Sequence, residues 1–314
     1  MKVLTINRHT AYLYLLSKTD HQFFVAGGER WGDFAQRPMP KNVIILNEPV
    51  DGKIIKSFDV VIGHDPLHDL MNLGLLAVRH GIPYIQILHG RCERTGYKRS
   101  FLVRQVKRLY RHLILKPISL SKFVRFVFIS PSVQKSWKLP GTVICPGIPI
   151  DEMIPYRGDK ETLLIVGNDL HREHFDFTAL QEVRKALPVK IVGRNPKILE
   201  AAPAASWEEL KELYSSCRAY LNITREPEDG YNLATLEAMA SGMPVLTLQH
   251  PTSPIRDGLN GLVAKDINEL IEKGQKLLQN HDLAKKLGEN ARKTILEKFS
   301  IQRFVEDWDK ILKG

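Results

Sequence analysis

Short runs of apolar, often β-branched residues recur through the first half of this 314-residue chain, at Lys2–Ile6, Gln22–Ala26, Val43–Leu46, Val60–Gly63, Tyr84–Leu88 and Val124–Ile129. They lack the inside–outside alternation of a half-solvated strand, so they predict strands buried on both faces. Leu67–Val78 and Val103–Leu115 carry apolar positions at helical spacing between them. The second half restarts the pattern with strands at Leu163–Val166, Val189–Val192, Ala219–Ile223 and Val245–Leu248. Helices are expected at Thr178–Ala186, Trp207–Ser216, Leu233–Ala240 and Ile267–Gln279. Strands and helices in turn predict parallel α/β sheets, hence two Rossmann-like domains, each long enough to bury its own core. Pro146, Pro149 and Pro155 punctuate the junction, which places the linker near Pro149–Gly158 and the domains at 1–152 and 153–296.

The stretch from Asp229 to Thr247, DGYNLATLEAMASGMPVLT, breaks into a turn, a short helix and a buried strand. Asp229-Gly230 is turn chemistry, and Gly242 with Pro244 stops the helix. Leu233, Leu236, Glu237 and Ala240 share one helical stripe, so Glu237 is a carboxylate on the face expected to be buried. A buried charge costs several kcal/mol unless partnered, so this glutamate should have polar company or a ligand. The helix start presents free N–H groups suited to phosphate. A carboxylate for sugar hydroxyls beside an amide nest for phosphate outlines a nucleotide-sugar site.

At these residues the chain resembles the retaining glycosyltransferases of the GT-B fold, of the family 4 or group 1 type. Their signature is an acidic residue, Gly-aromatic-Gly, a second glutamate in Leu-Glu-Ala-Met-Ala, then Gly-x-Pro-Val; here Asp229, Gly230, Tyr231, Asn232, Glu237, Gly242 and Pro244 stand in those places. The resemblance implies two Rossmann-like domains facing across a cleft. It implies Glu237 on the ribose hydroxyls, Asp229 at the donor sugar, and amides near Asn232 and Leu233 on the diphosphate. It also implies that no bound metal ion is required. The order of further segments agrees: Asp59–Gly90 ending in His-Gly, Glu212–Thr224 leading into the signature, and Glu297–Leu312, similar to the terminal helix (297–314) that crosses back to the first domain. The departures are an aspartate at 229, an asparagine at 232, and Asn7-Arg8-His9-Thr10 in place of a glycine-rich loop.

Glycosyl transfer needs the leaving diphosphate's growing charge stabilised, and arginine's planar fork suits that task. The family places an Arg and a Lys after the glycine ending the first strand of the second domain. Here Gly167 is followed by NDLHREHFD, so Asn168 takes the arginine position and about Glu173 the lysine position. Arg172 and Arg194 are the candidate replacements; each alternatively reads as a solvated loop cation. His171 and His174 have helical metal spacing but no third ligand at zinc-motif distance. In the first half His89 precedes Gly90 at the carboxyl end of a strand, where α/β ligands bind. The resemblance puts a histidine near the donor sugar there. His64 is expected to be a strand-end histidine satisfied by hydrogen bonds.

Charge changes the picture in one segment. Between Arg91 and Arg125 stand eleven cations and one acid, Glu93, a local excess equal to the whole chain's formal +10. Leu102, Val106, Leu109 and Leu113 form a helical stripe among them, with Lys107, Arg108 and Arg111 on the other sides. A basic amphipathic helix suits an anionic membrane surface, and it also suits nucleic acid phosphates or an anionic glycan. The ordinary alternative is a domain helix with a solvated basic face. No apolar run is long enough to span a bilayer, MKVLTINRHT is no signal peptide, and Cys92, Cys145 and Cys217 lack metal or redox spacing. The expected protein is therefore a cytoplasmic retaining glycosyltransferase, peripheral on the inner face of the membrane. It uses a UDP- or GDP-sugar and no cofactor, and it acts on a lipid-linked or envelope glycan. The alternatives are a DNA-modifying glycosyltransferase and a nucleotide-sugar-binding protein without transfer activity.

Overall fold

The computed structural model describes residues 1–26, 31, 37–92, 109–225 and 231–313. The chain divides into two units, Met1–Pro146 with Gln302–Gly314, and Gly147–Ile301. The first break falls six residues before the expected 152/153, because Gly147–Glu152 is tied to the end of its own unit. The Ile148 N–H donates to the Phe299 carbonyl at 2.8 Å, and Ile148 pairs with Ser300.

In the first unit the strands are β1 (Lys2–Thr5), β2 (Gln22–Val25), β3 (Val43–Ile45), β4 (Val60–Gly63), β5 (Tyr84–Leu88), β6 (Val124–Phe128) and β7 (Thr142–Val143). They form one parallel sheet in the order β3-β2-β1-β4-β5-β6-β7. The order reverses between β1 and β4, which opens a crevice at their carboxyl ends. The helix Ile301–Lys313 closes this unit, with Phe304 and Trp308 fully buried. Phe304 meets the Tyr12 ring edge-on at 5.8 Å, and Arg303 and Arg125 hold the Cys145 and Ile311 carbonyls at 2.7 Å. Each buried aromatic of that stripe stabilises by roughly 1.5–3 kcal/mol.

The second unit contains β8 (Lys160–Val166), β9 (Val189–Val192), β10 (Cys217–Asn222), β11 (Val245–Leu248) and β12 (Gly261–Ala264), all parallel, in the order β12-β11-β10-β8-β9. Its reversal lies between β8 and β10. The helices start where a side chain caps them: Ser206 for Trp207–Ser216, Asp266 for Ile267–Gln279 and Asn280 for His281–Lys298. The helix Leu233–Ser241 is capped by Asn232 and ends at Gly242, whose φ of 93° is the left-handed stop that glycine adopts without strain. Both units are Rossmann-like, and the terminal helix belongs to the first.

Candidate functional site

At the carboxyl ends of β8 and β10, Val166, Phe175, Tyr220, Asn222, Asn232 and Ala234 help line a cavity of about 120 Å³. Asn232 ties the helix start to the end of β10. Its Oδ1 accepts the Thr235 N–H at 2.8 Å, and its Nδ2 donates to Thr224 Oγ1 at 3.0 Å and Asn222 Oδ1 at 3.3 Å. An asparagine thus has work here that a glycine would leave undone. Leu233 opens the helix, and the Tyr231 ring meets the Phe299 ring edge-on at 5.2 Å. Glu237 sits a turn further along, 6% exposed, and accepts the Tyr214 hydroxyl at 3.1 Å. It is buried as expected, with Tyr214 as polar company, and it does not itself line the 120 Å³ cavity. Burial also raises the neighbouring Tyr220 phenol above its usual range. Asp229 and Gly230 lie outside the described residues.

The loops after β8 and β9 are laced together. Asn168 Oδ1 accepts the Arg194 N–H at 2.7 Å, and the Asp169 N–H donates to the Arg194 carbonyl at 3.0 Å. Asn195 accepts the Leu170 N–H and donates to the Gly167 carbonyl, both at 2.8 Å. Gly193 is required, since a Cβ there would lie 2.3 Å from the Gly167 carbonyl oxygen. Asn168 is therefore a brace at the position where the family has an arginine. Arg172 is exposed and paired with Asp169 at 2.7 Å, and Arg194 is exposed on the adjoining loop. The structure brings both arginines to the rim formed by these two loops. Among the described residues no cluster of three His, Cys, Asp or Glu is arranged to hold a metal.

In the first unit a larger pocket, about 470 Å³, opens at the carboxyl ends of β4 and β5; His9, His64, Asp65, His89, Tyr110 and Trp137 are among its walls. His89 Nε2 lies 2.9 Å from His64 Nδ1, and His64 Nε2 lies 3.1 Å from Thr5 Oγ1. His64 is 4% exposed, the satisfied strand-end histidine that its position predicts. Burial, followed by the positive fields of His9 and Arg8, holds its imidazole down at about 3. His89 is likewise held well below the usual imidazole range, by burial first and then by His9 and His64. The loop that replaces a glycine-rich turn supplies Arg8, whose guanidinium meets the fully buried Asp69 at 3.1 Å. Asp69 also accepts the His64 and Asp65 N–H groups at 2.8 and 2.9 Å. Sequence reasoning missed Asp69, Thr5 and Tyr214, because nothing in spacing marks which distant element a polar side chain will meet.

One expectation is corrected. Arg111 is buried, 7% exposed, with Nη1 toward Cys92 Sγ at 3.8 Å and the Ser136 carbonyl at 3.5 Å. It is no surface cation. Leu109 and Leu113 point outward instead, at 57% and 61% exposure. Leu109 and Leu113 still share one side, so the leucine stripe holds where it is described but faces outward, and Arg111, two residues after Leu109, falls on the opposite, interior side. Lys107 and Arg108 lie outside the described residues.

Residues 172–310 match the family model described as glycosyl transferase-like. Over those residues, under half of the chain, it is similar to glycosyltransferases. An uncharacterized glycosyltransferase of Methanocaldococcus jannaschii is 26% identical, covering 87% of this chain and 84% of its own. Trehalose synthase of Thermococcus litoralis is 35% identical over 27% of this chain. The poly(ribitol-phosphate) alpha-N-acetylglucosaminyltransferase of Staphylococcus aureus is 32% identical over 28%. The last two matches span 21% and 19% of those relatives' lengths, about a fifth. Among solved structures, Anabaena HepE in complex with UDP and glucose superposes with a TM-score of 0.75 at 13% identity, over 100% of both chains. WaaG, a glycosyltransferase involved in lipopolysaccharide biosynthesis, gives 0.68 at 18%, also over 100% of both. At such identities the likeness shows the fold, and this glycosyltransferase-like chain has the GT-B type of two parallel-sheet units.

Proposed function

We propose that this chain transfers a sugar from a UDP- or GDP-sugar to a lipid-linked or envelope glycan, with retention of configuration and without a metal ion. The observation that carries the reading is Glu237, a carboxylate buried on a helix that begins beside the switch-point cavity of the second unit. Burying it is costly, and vicinal ribose hydroxyls are the donors it suits. The helix start at Leu233 and the rim arginines Arg172 and Arg194 are then the stabilisers of the leaving diphosphate. Asp229 belongs at the donor sugar by the same reading, with Gly230 beside it in the donor-binding signature. The diphosphate oxygen takes the acceptor's proton on the face that it leaves, so no protein nucleophile is needed. HepE's complex with UDP and glucose, and the S. aureus relative's polymer acceptor, support the donor and acceptor classes.

The first unit is the acceptor side, with His89 in its pocket. Its membrane face consists of Leu109, Leu113 and Leu120, all exposed, with the exposed Lys116 and Lys122. No Asp or Glu occurs between Arg94 and Ile150, so the charge is complementary to an anionic inner leaflet. Among the described residues no helix is long and apolar enough to cross a membrane.

The test is a thermal-shift panel of UDP, GDP, ADP and their sugars on the wild type and Glu237→Gln. UDP or GDP should raise Tm of the wild type only. No shift from any nucleotide, or an equal shift in the variant, refutes the donor site.

A further inference from the structure

We propose that Thr5 and His64 are positioning residues that fix the proton of His89 on Nδ1, so that this histidine enters the first unit's pocket as a hydrogen-bond donor to a ligand oxygen. Three groups stand in a row: Thr5 Oγ1, 3.1 Å from His64 Nε2, and His64 Nδ1, 2.9 Å from His89 Nε2. One proton lies between two imidazole nitrogens at that separation, because two N–H groups would face each other and two lone pairs would repel. Burial keeps both rings neutral, so each carries a single N–H.

Thr5 decides the direction of the row. It is fully buried at the end of β1, and among the described residues its hydroxyl has no partner except His64 Nε2. If His64 donated to Thr5, the threonine O–H would be a buried donor left unmade, the arrangement that protein interiors avoid most consistently. The hydroxyl therefore donates to Nε2. His64 must then hold its proton on Nδ1 and donate to His89 Nε2. His89, accepting at Nε2, must hold its own proton on Nδ1. Among the described residues Nδ1 has no hydrogen-bond partner, and the ring lines the pocket.

The consequence is chemical. An Nδ1–H recognises a lone pair, from a phosphate oxygen or a sugar hydroxyl oxygen, and it cannot take a proton from a hydroxyl as a base. The ligand half of the inference rests on this pocket receiving substrate; the proton order does not, and it is measurable without any substrate.

Long-range proton–nitrogen NMR of ¹⁵N-histidine-labelled protein at pH 7 reads the tautomers directly, with signals assigned by their loss in His89→Gln and His64→Gln. His89 and His64 should both show the Nδ1–H form. Thr5→Val should raise the Nε2–H population of His89, and Thr5→Ser should restore the wild-type pattern. A wild-type His89 in the Nε2–H form overturns the proposal without recourse to any variant. So does a Thr5→Val protein with unchanged tautomers. Titration with inorganic phosphate and, separately, with methyl glucoside shows which oxygen source moves the His89 Nδ1–H signal. If neither moves it at saturating concentration, the donor role toward a ligand is lost.

Discussion

The Tyr214 hydroxyl lies 3.1 Å from Oε2 of Glu237, both side chains being buried, so the carboxylate on which the proposed donor site depends is held by a residue from the preceding helix. Glu237→Gln keeps an oxygen for Tyr214 and should leave Tm within a few degrees while nucleotide affinity falls at least about tenfold, or ~1.4 kcal/mol. Tyr214→Phe removes one hydrogen bond from the buried carboxylate and should cost about 0.5–1.5 kcal/mol in urea unfolding. Calorimetric titration and denaturation curves separate the two effects.

Asp69 is a second buried carboxylate with several obligations. Asp69→Ala removes the acceptor of two backbone N–H groups and of Arg8, and should destabilise by about 3–5 kcal/mol. Arg8→Ala should cost less, because its side chain is 44% exposed and water replaces part of the interaction. Urea midpoints for the two variants check the order.

Acid should weaken the first unit. The unfolded chain protonates His64 near 6.5, whereas the folded imidazole resists until about 3. Between those values the unfolded state binds the extra proton, so stability is full above about pH 6.5 and declines as pH falls, by up to ~1.4 kcal/mol per unit for this group. His89 is lowered in the same direction and adds to the slope. Urea unfolding from pH 7 to 4 should show the decline, and His64→Gln should flatten it.

Vesicle binding should depend on the outward leucines more than on Arg111. Leu113→Glu with Leu120→Glu should reduce sedimentation with phosphatidylglycerol vesicles at least about tenfold, through lost apolar contact and added repulsion. Arg111→Glu should instead lower Tm, because that position is interior. Unimpaired vesicle binding by the double leucine variant would remove the membrane face from the functional reading.

Much of the fold was legible in the apolar strand runs. Val60–Gly63 and Tyr84–Leu88, buried throughout, are strands residue for residue, since a run buried on both faces has one periodicity to offer, and Val189–Val192 and Val245–Leu248 also match to the residue. Thr10–Leu16 and Pro131–Trp137 were not anticipated: seven residues give little more than a turn and a half of helix, too little for a face to show. Gly261–Ala264 was also not anticipated: it opens on Gly261 directly after the turn-like stretch 257–260, so turn residues mask its start. Glu237 was readable because a charge on an apolar stripe is a conflict. Arg111 was misread because a stripe of leucines with cations opposite does not say which side faces the domain, and here the leucines face outward. The Thr5–His64–His89 row joins the ends of three strands, and only the strand order brings them together.

The lacing of Asn168 and Asn195 has one more effect. Because each holds the other loop's backbone, Arg172 and Arg194 ride on a single stiff frame, and a shift of one loop must carry its neighbour along. An anion landing on that rim finds its backbone already ordered and has little chain entropy to remove. Loosening the frame, as Asn195→Ala would, should therefore blunt both guanidiniums at once.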